Sequence, residues 1–459
     1  MTAPRLARAA GRAPPVRLVH LGLGSFFRAH QAVYTDRAAD ADQWGYAAFG
    51  GRRSELADTL ADQGGLYTLI TRAGDGDRFD VVASLALTHG ADDHADWRRA
   101  LARPELAVVT ITVTEAGYLR APDGGLDRTR PEVRADLEVL RRDPAGPART
   151  APGRLVSGLA ARRRSDAGPL AVVPCDNLAG NGDLVRRVVV DLAELVDPAL
   201  AEWITGSVSF VTTMVDRITP RTTADDVRTV RERTGRADRC PVVTEAFTEW
   251  VLSGSFPAGR PRWEDGGARF TDDVSPHEHR KLWLLNGAHS LLAYAGPLRG
   301  HATVAEAIAD PTCRARVEQW WAEASGHLDQ PGDELAAYRS ALVERFANAR
   351  IAHRLAQIAA DGSQKLPVRI VPTVRAERAA GREAAGGARV LAAWVCHLRG
   401  AGSPVDDPAA ATLVPLVDGP LPDAVRWVLA TLDPHLVDDA TLVATVLELS
   451  RELQRSAFR

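Results

Sequence analysis

Val16-Arg-Leu-Val-His-Leu-Gly22-Leu-Gly24-Ser25-Phe26-Phe-Arg28 passes from an apolar strand pattern through a two-glycine turn into a helical pattern. Such a turn lets a ligand approach the backbone closely, with the N–H groups of the next helix pointing at it. Taken alone it is equally a plain tight turn, because the third glycine of the usual fingerprint is replaced by Phe27. Its setting decides the reading. Further strand patterns follow at Gly45–Phe49, Val81–Leu87, Leu106–Val113, Leu170–Pro174 and Val208–Val215, with Val81–Leu87 suiting an antiparallel insertion. Helical patterns such as Asp92–Ala102 and Asp183–Leu195 lie between them. This alternation predicts an α/β fold, a doubly wound and mostly parallel sheet, over residues 16–274.

From Ser275 the patterns become mainly helical, so residues 275–459 are expected to form a second, α-helical domain. Ser275-Pro276-His277-Glu278 reads as a capping box with proline at the first helical position, and Gly296-Pro297 as a stop. One helix is therefore expected from Pro276 to Ala295. Glu377–Gly387 reads as a loop or frayed helix end. Residues 1–15, rich in Arg, Ala and Pro, lack the apolar core of a secretory signal and are expected to form a flexible arm.

With 45% hydrophobic and 25% charged residues and a formal charge of −3, the 459-residue chain has the composition of a soluble globular protein. That charge argues against nucleic-acid or anionic-membrane partners, and no apolar run is long enough to span a bilayer. Cys175, Cys240, Cys313 and Cys396 are far apart, with no paired ligand spacing, which suits a reducing cytoplasm. Arg162-Arg163-Arg164 reads as a solvated loop. No pattern encodes an oligomeric state.

Of 56 basic residues only Lys281 and Lys365 are lysine. Arginine stays charged, whereas an ammonium in apolar surroundings can lose its proton near neutral pH, so a surviving lysine is a candidate base. Lys281 has Leu282, Trp283, Leu284 and Leu285 as neighbours. At about 100° per residue, Lys281, His289 and Asn286 fall near 0°, 80° and 140° on one helix face. The plainer reading is a snorkelling lysine and a hydrogen-bonded core histidine. A zinc site at His277, His279 and His289 lacks a cysteine or carboxylate partner placed by the sequence, so no metal site is assigned.

Glu115, Asn177 and Asp216 each follow a predicted strand, where open α/β sheets bind ligands. Each taken singly is more simply a turn or cap residue. Gly50-Gly51-Arg52-Arg53, after the second strand, offers no acid for a ribose diol, and its arginines suit a 2′-phosphate. The choice between NAD and NADP stays open.

These segments together resemble the mannitol dehydrogenase family, long-chain polyol and sugar-acid dehydrogenases. The similar stretches are 19–30, Gln63-Gly-Gly-Leu-Tyr-Thr-Leu69, Thr114-Glu-Ala-Gly-Tyr118, Asp176-Asn-Leu-Ala-Gly-Asn-Gly182 and Met214-Val-Asp-Arg-Ile-Thr-Pro220. Lys281-x4-Asn286-x2-His289, Arg345-Phe-Ala-Asn348 and Asp361-Gly-Ser-Gln-Lys-Leu-Pro367 follow in order. The resemblance implies a site between a Rossmann-type domain and a helical one, and a metal-independent reaction with NAD, NADP not being excluded. It implies Gly22, Gly24, Ser25, Phe26 and Arg28 at the cofactor and Lys281 as general acid/base. Asn177 and Asn286 would hydrogen-bond the reacting oxygen, and His289 and Asp216 would orient substrate. Glu115 would gate proton exchange, and Lys365 would lie near the substrate. Gln357 has no assigned role. Expected substrates are mannitol or arabinitol, oxidised to a ketose, or alternatively fructuronate, reduced to mannonate. A catalytically silent dinucleotide-binding sensor would keep the glycine turn without needing Lys281, Asn286 and His289 together. A metal-dependent hydrolase is a third alternative.

Overall fold

The computed structural model describes residues 3–9, 11–51 and 54–457. Its strands are β1 (Val16–Leu21), β2 (Gly45–Phe49), β3 (Tyr67–Ala73), β4 (Gly76–Val82), β5 (Leu85–His89), β6 (Val108–Ile111), β7 (Leu170–Pro174), β8 (Val208–Phe210), β9 (Thr212–Asp216), β10 (Val242–Glu245), β11 (Glu249–Ser253) and β12 (Arg269–Phe270). Six form a parallel sheet in the order β5-β2-β1-β6-β7-β8. This is the doubly wound order, which reverses between β1 and β6. Alternate residues feed opposite layers, as the pleat requires. Val19, Leu21, Ala47, Phe49, Val109 and Ile111 join one core, whereas Leu18, Tyr46, Ala48 and Val108 join the other.

Two expected strands are divided. The run 81–87 contains the end of β4, an antiparallel partner of β3, and the start of β5, which pairs with β2 in the main sheet. The joint is held by tertiary bonds: Ala83 N–H donates to Asp36 (2.7 Å) and the Ser84 hydroxyl to Ala32 O (2.7 Å). The run 208–215 breaks at Val211. β8 stays in the main sheet, while β9 pairs with β11 in a small sheet β12-β11-β9. The Asn181 side chain takes the place of a neighbouring strand there, accepting from Thr213 N–H (2.9 Å) and donating to Thr213 O (3.0 Å). β3, β4 and β10 form a third sheet that the sequence reading lacked.

Two further expectations need correction. Arg162–Arg164 end a helix, Ala151–Arg164, and Arg162 is fully buried. Its guanidinium donates to the carbonyls of Leu101, Arg103, Leu106, Ala167, Gly168 and Pro169 at 2.7–3.1 Å. Burial lowers its pKa to about 10. The stretch 1–15 is also not loose over its described part. Leu6 is buried, and Arg8 donates to Gly64 O, Ala83 O and Leu85 O.

The chain divides into two compact units, one ending at Ser275 and one beginning at Pro276. In the second, the helix Gly287–Ala295 is buried along its whole length. It packs against helices 304–309, 311–325, 355–359 and 385–398, as a central helix buried on all sides must. The expected helix 276–295 is continuous from Ser275 to Ala295 but not uniform, since Lys281–Asn286 are π-helical. The segment 377–387 is a helix end at Ala379 and a new start at Ala385.

Arg162→Lys retains the charge but offers three donors to six carbonyls, so a loss of about 2–4 kcal/mol is expected in urea denaturation. A change within about 0.5 kcal/mol would show that the carbonyls do not need the guanidinium. Gly22 has φ +110°, and a Cβ there would lie 1.9 Å from Thr112 O. Gly22→Ala is expected to lower the unfolding midpoint through combined backbone strain and overlap, and an unchanged midpoint contradicts that reading.

Candidate functional site

The turn after β1 is fixed by the sheet reversal. Gly22 and Leu23 N–H groups both donate to Phe49 O at the end of β2 (3.0 and 2.9 Å). Gly24 then opens a five-residue helix, Ser25–Ala29. Gly22, Gly24, Ser25 and Phe26 are half-buried along this turn. Arg28 instead points inward: it is 4% exposed and donates to Gly24 O (3.2 Å) and Cys240 O (2.5 Å). It braces the turn from behind.

A cavity of about 1270 Å³ opens at the carboxyl ends of β1, β2 and β6, lined among others by Gly22, Leu23, Gly51, Glu55, Thr112 and Thr114. This is the crevice in which doubly wound sheets hold a dinucleotide, and the absence of a Cβ at Gly22 is what lets the turn lie against the Thr112 backbone at its edge. Its wall includes Arg154, which was not foreseen. Arg154 is buried, donates to Gly50 O (2.9 Å) and lies over the Trp97 ring (5.0 Å). Arg52 and Arg53, read as candidates for a 2′-phosphate, lie outside the described residues.

Glu115 and Asn177 leave the ends of neighbouring strands, β6 and β7, whose last residues Ile111 and Pro174 are in register. Both side chains are exposed. Their segments are tied together by the residues beside them: Tyr118 donates to Asp176 (2.5 Å), and Asp176 also accepts from Leu178 N–H (2.9 Å) and Asn181 (3.4 Å). Burial raises the Asp176 carboxyl pKa, against these bonds. Asp216 ends β9 and is buried. Its strand is moored to β7 by the Thr213 hydroxyl, which donates to Pro174 O (2.6 Å). All three candidates of this unit thus lie at or beyond carboxyl ends of strands.

In the second unit, Lys281 and Asn286 are the first and last residues of the π-helical turn, and both are half-buried. Gly287 N–H reaches Leu282 O, five residues back. An i→i+5 ladder brings residues five apart next to one another on one side. Lys281 and Asn286 are therefore closer in angle than the roughly 140° of a regular α-helix. His289 is buried, with Phe346 against its ring (4.7 Å) and His353 edge-on (5.1 Å). Its Nε2 is buried without a hydrogen-bond partner, an arrangement that calls for an explanation such as a ligand hydroxyl. Burial, followed by His353, Arg345 and Arg369, holds its pKa well below the ordinary imidazole value, so at neutral pH the ring is uncharged. Lys365 donates to Ala360 O (2.6 Å) and lies 3.5 Å from the Asp361 carboxylate. Gln357 is exposed, in the helix Leu355–Ala359.

His277, His279 and His289 are not brought together. Among the described residues the one His/Cys/carboxylate group of metal-ligand proximity is His301, Asp310 and Cys313. Asp310 there already accepts from Arg299 (2.6 Å), His301 (2.9 Å) and Thr312 N–H (2.7 Å). Among the described residues no helix is long and apolar enough to cross a membrane.

The mannitol dehydrogenase Rossmann domain matches residues 16–265, and the mannitol dehydrogenase C-terminal domain matches residues 273–447. The chain is 38% identical to D-mannonate oxidoreductase of Escherichia coli K12 over 395 residues, covering 84% of this chain and 80% of that protein. It is 37% identical to mannitol 2-dehydrogenase of Cereibacter sphaeroides, covering 82% and 80%. Among solved structures it resembles Pseudomonas fluorescens mannitol 2-dehydrogenase in ternary complex with NAD and D-mannitol. That match has a TM-score of 0.82 at 32% identity and covers 100% of this chain and 95% of the other. With both domains matched in order over most of its length, the chain belongs to the mannitol dehydrogenase family.

Proposed function

We propose that this chain is an NAD-dependent oxidoreductase that interconverts a secondary alcohol of an open-chain polyol or sugar acid with the corresponding ketone, with Lys281 as general base and acid. The observation that carries this reading is the π-helical turn that begins at Lys281 and ends at Asn286, one helical turn before the buried, unpartnered Nε2 of His289. The cavity at Gly22 has the position and size to receive a dinucleotide, which, when bound, supplies an acceptor for the hydride leaving the carbinol carbon. NADP is a second candidate.

Neutral Lys281 takes the hydroxyl proton. Asn286 and Asn177 donate N–H groups to the oxygen as negative charge develops on it; preorganised donors of this kind contribute roughly 3–4 kcal/mol each. His289, uncharged, and Asp216 hold adjacent hydroxyl groups, and Lys365 binds the chain of the substrate further along. Exposed Glu115 passes the proton to solvent. In reduction the same groups act in reverse, with the ammonium as acid. Lys281 needs no metal ion to do this.

A specific observation favours the sugar acid over the neutral polyol. Two guanidinium groups, Arg345 and Arg369, act electrostatically on His289. Arg345 adjoins Phe346, whose ring lies against His289, and Arg369 donates to the hydroxyl of Ser290 (3.3 Å), the next residue. A guanidinium offers a carboxylate paired donors.

Lys281→Arg is expected to fold and bind dinucleotide while kcat falls by at least about 10²-fold, within the range of general-base catalysis. In the wild type, oxidation should rise with pH as the amine loses its proton, and reduction should favour lower pH. Near-normal turnover by the variant, or a flat profile with chemistry rate-limiting, would remove Lys281 from this role. A panel of D-mannitol, D-arabinitol and D-mannonate with NAD and NADP, followed by nicotinamide absorbance, tests the substrate class. Mannonate is expected to lead with the wild type, and Arg369→Gln to lower kcat/KM for it by roughly 10–150-fold while sparing mannitol. Equal losses on both substrates would make Arg369 a structural support for the Ser290 turn. Binding of dinucleotide with no turnover on any substrate would favour a silent sensor.

A further inference from the structure

In a regular α-helix the carbonyls of Trp283 and Leu284 would accept from the N–H groups four residues on. Here each also meets a side chain from the helix Pro311–Ser325. Trp320 Nε1–H donates to Trp283 O and Trp321 Nε1–H to Leu284 O, both at 2.8 Å and both from 37 positions along the chain. The two indoles are fully buried. Gly287 completes the arrangement, because a Cβ there would lie 2.6 Å from Trp320 Nε1. Only a residue without a side chain lets that indole reach the helix backbone.

Returning this turn to α geometry would take one residue out of the bulge. The segment before the bulge would then rotate by about 100° and shift by about 1.5 Å relative to the helix after it. That helix, Gly287–Ala295, cannot rotate to compensate, since it is buried throughout. The displacement would fall on Lys281. Return to α geometry would also leave two buried indole N–H groups without partners.

We propose that Trp320 and Trp321 are positioning residues for the reaction: their indole N–H groups, admitted by Gly287, hold the π-helical turn and with it the angular place of Lys281 relative to Asn286 and His289. The inference rests on the reading of Lys281 as the base. Neither tryptophan touches substrate in this account; they act through the helix backbone.

The test compares Trp320→Phe, Trp321→Phe and Gly287→Ala with the wild type and with Lys281→Arg, using full-length protein. Measured are kcat, KM, the pH profile, dinucleotide Kd and the primary isotope effect with substrate deuterated at the carbinol carbon. Phenylalanine keeps the ring packing and deletes the donor. Alanine at 287 keeps both donors and displaces Trp320. Misplacement on the ångström scale can cost about 10²-fold, so kcat is expected to fall roughly 10–100-fold in each variant. The isotope effect on kcat should rise, the pH profile should shift, and dinucleotide Kd should stay within about threefold. Folded variants with wild-type kcat and pH profile would overturn the inference. So would a decline in which dinucleotide affinity, KM and kcat worsen together in step with lost stability. An inactive Lys281→Arg beside normal tryptophan variants would reject the inference alone, whereas an active Lys281→Arg would reject the underlying reading. Should one tryptophan variant fail to fold, Gly287→Ala and the other decide the question.

Discussion

Two indole N–H···O=C bonds, from Trp320 to Trp283 and from Trp321 to Leu284, tie the helix carrying Lys281, Asn286 and His289 to its neighbour. A helix buried on every side has no room to slip, and its own backbone ordinarily consumes its carbonyls. Holding the wide turn requires added donors that offset the lost α register, and an indole N–H delivered by a fully packed ring meets that need. The wide turn departs from the local preference of a leucine-rich segment. Departures of this kind, stabilised from outside, are found disproportionately at functional sites.

The arginine bias has a structural counterpart. Arg162 gathers six carbonyls, Arg8 joins Gly64 to Ala83 and Leu85, and Arg28 links the glycine turn to Cys240. In each case a planar fork spans acceptors on separate segments, which a single ammonium cannot do as well. Lysine is left at two positions, and Lys281 stands at the start of the one π-helical turn among the described residues. The chemical argument from composition and the geometric argument from the helix therefore meet on the same residue.

The doubly wound sheet was legible because burial on both faces leaves short apolar runs separated by helical periods, and because the two glycines after β1 stand where the strand order reverses. The breaks at Ala83–Ser84 and at Val211 were not legible. Both runs are mostly apolar and contain no glycine or proline, and what interrupts them is Asp36, Ala32 and Asn181, distant in sequence. Arg162 misled because three consecutive arginines look solvated, whereas the carbonyls that bury one of them come from five other loop and helix-end residues and from Leu101. Glu115, Asn177 and Asp216 could be placed at strand ends by counting, but the Tyr118–Asp176 bond that joins two of their segments could not. The π-helical turn leaves no trace in helical periodicity. Its signals were the adjacent tryptophans at 320 and 321 and the glycine at 287, meaningful only once the two helices are seen together. Family membership came from the order of many short motifs, which composition alone does not supply.

The central claim is that a neutral amine at position 281 accepts the substrate proton. Chemical rescue tests it without relying on an altered cation. Lys281→Ala, shown to be folded and to bind dinucleotide, would be assayed with a series of small primary amines of graded basicity. The account predicts that turnover returns in proportion to the free-base concentration of the amine, with more basic amines giving larger rate constants at equal size. Activity that is already near normal without amine, or that no amine restores although dinucleotide and substrate both bind, would contradict it.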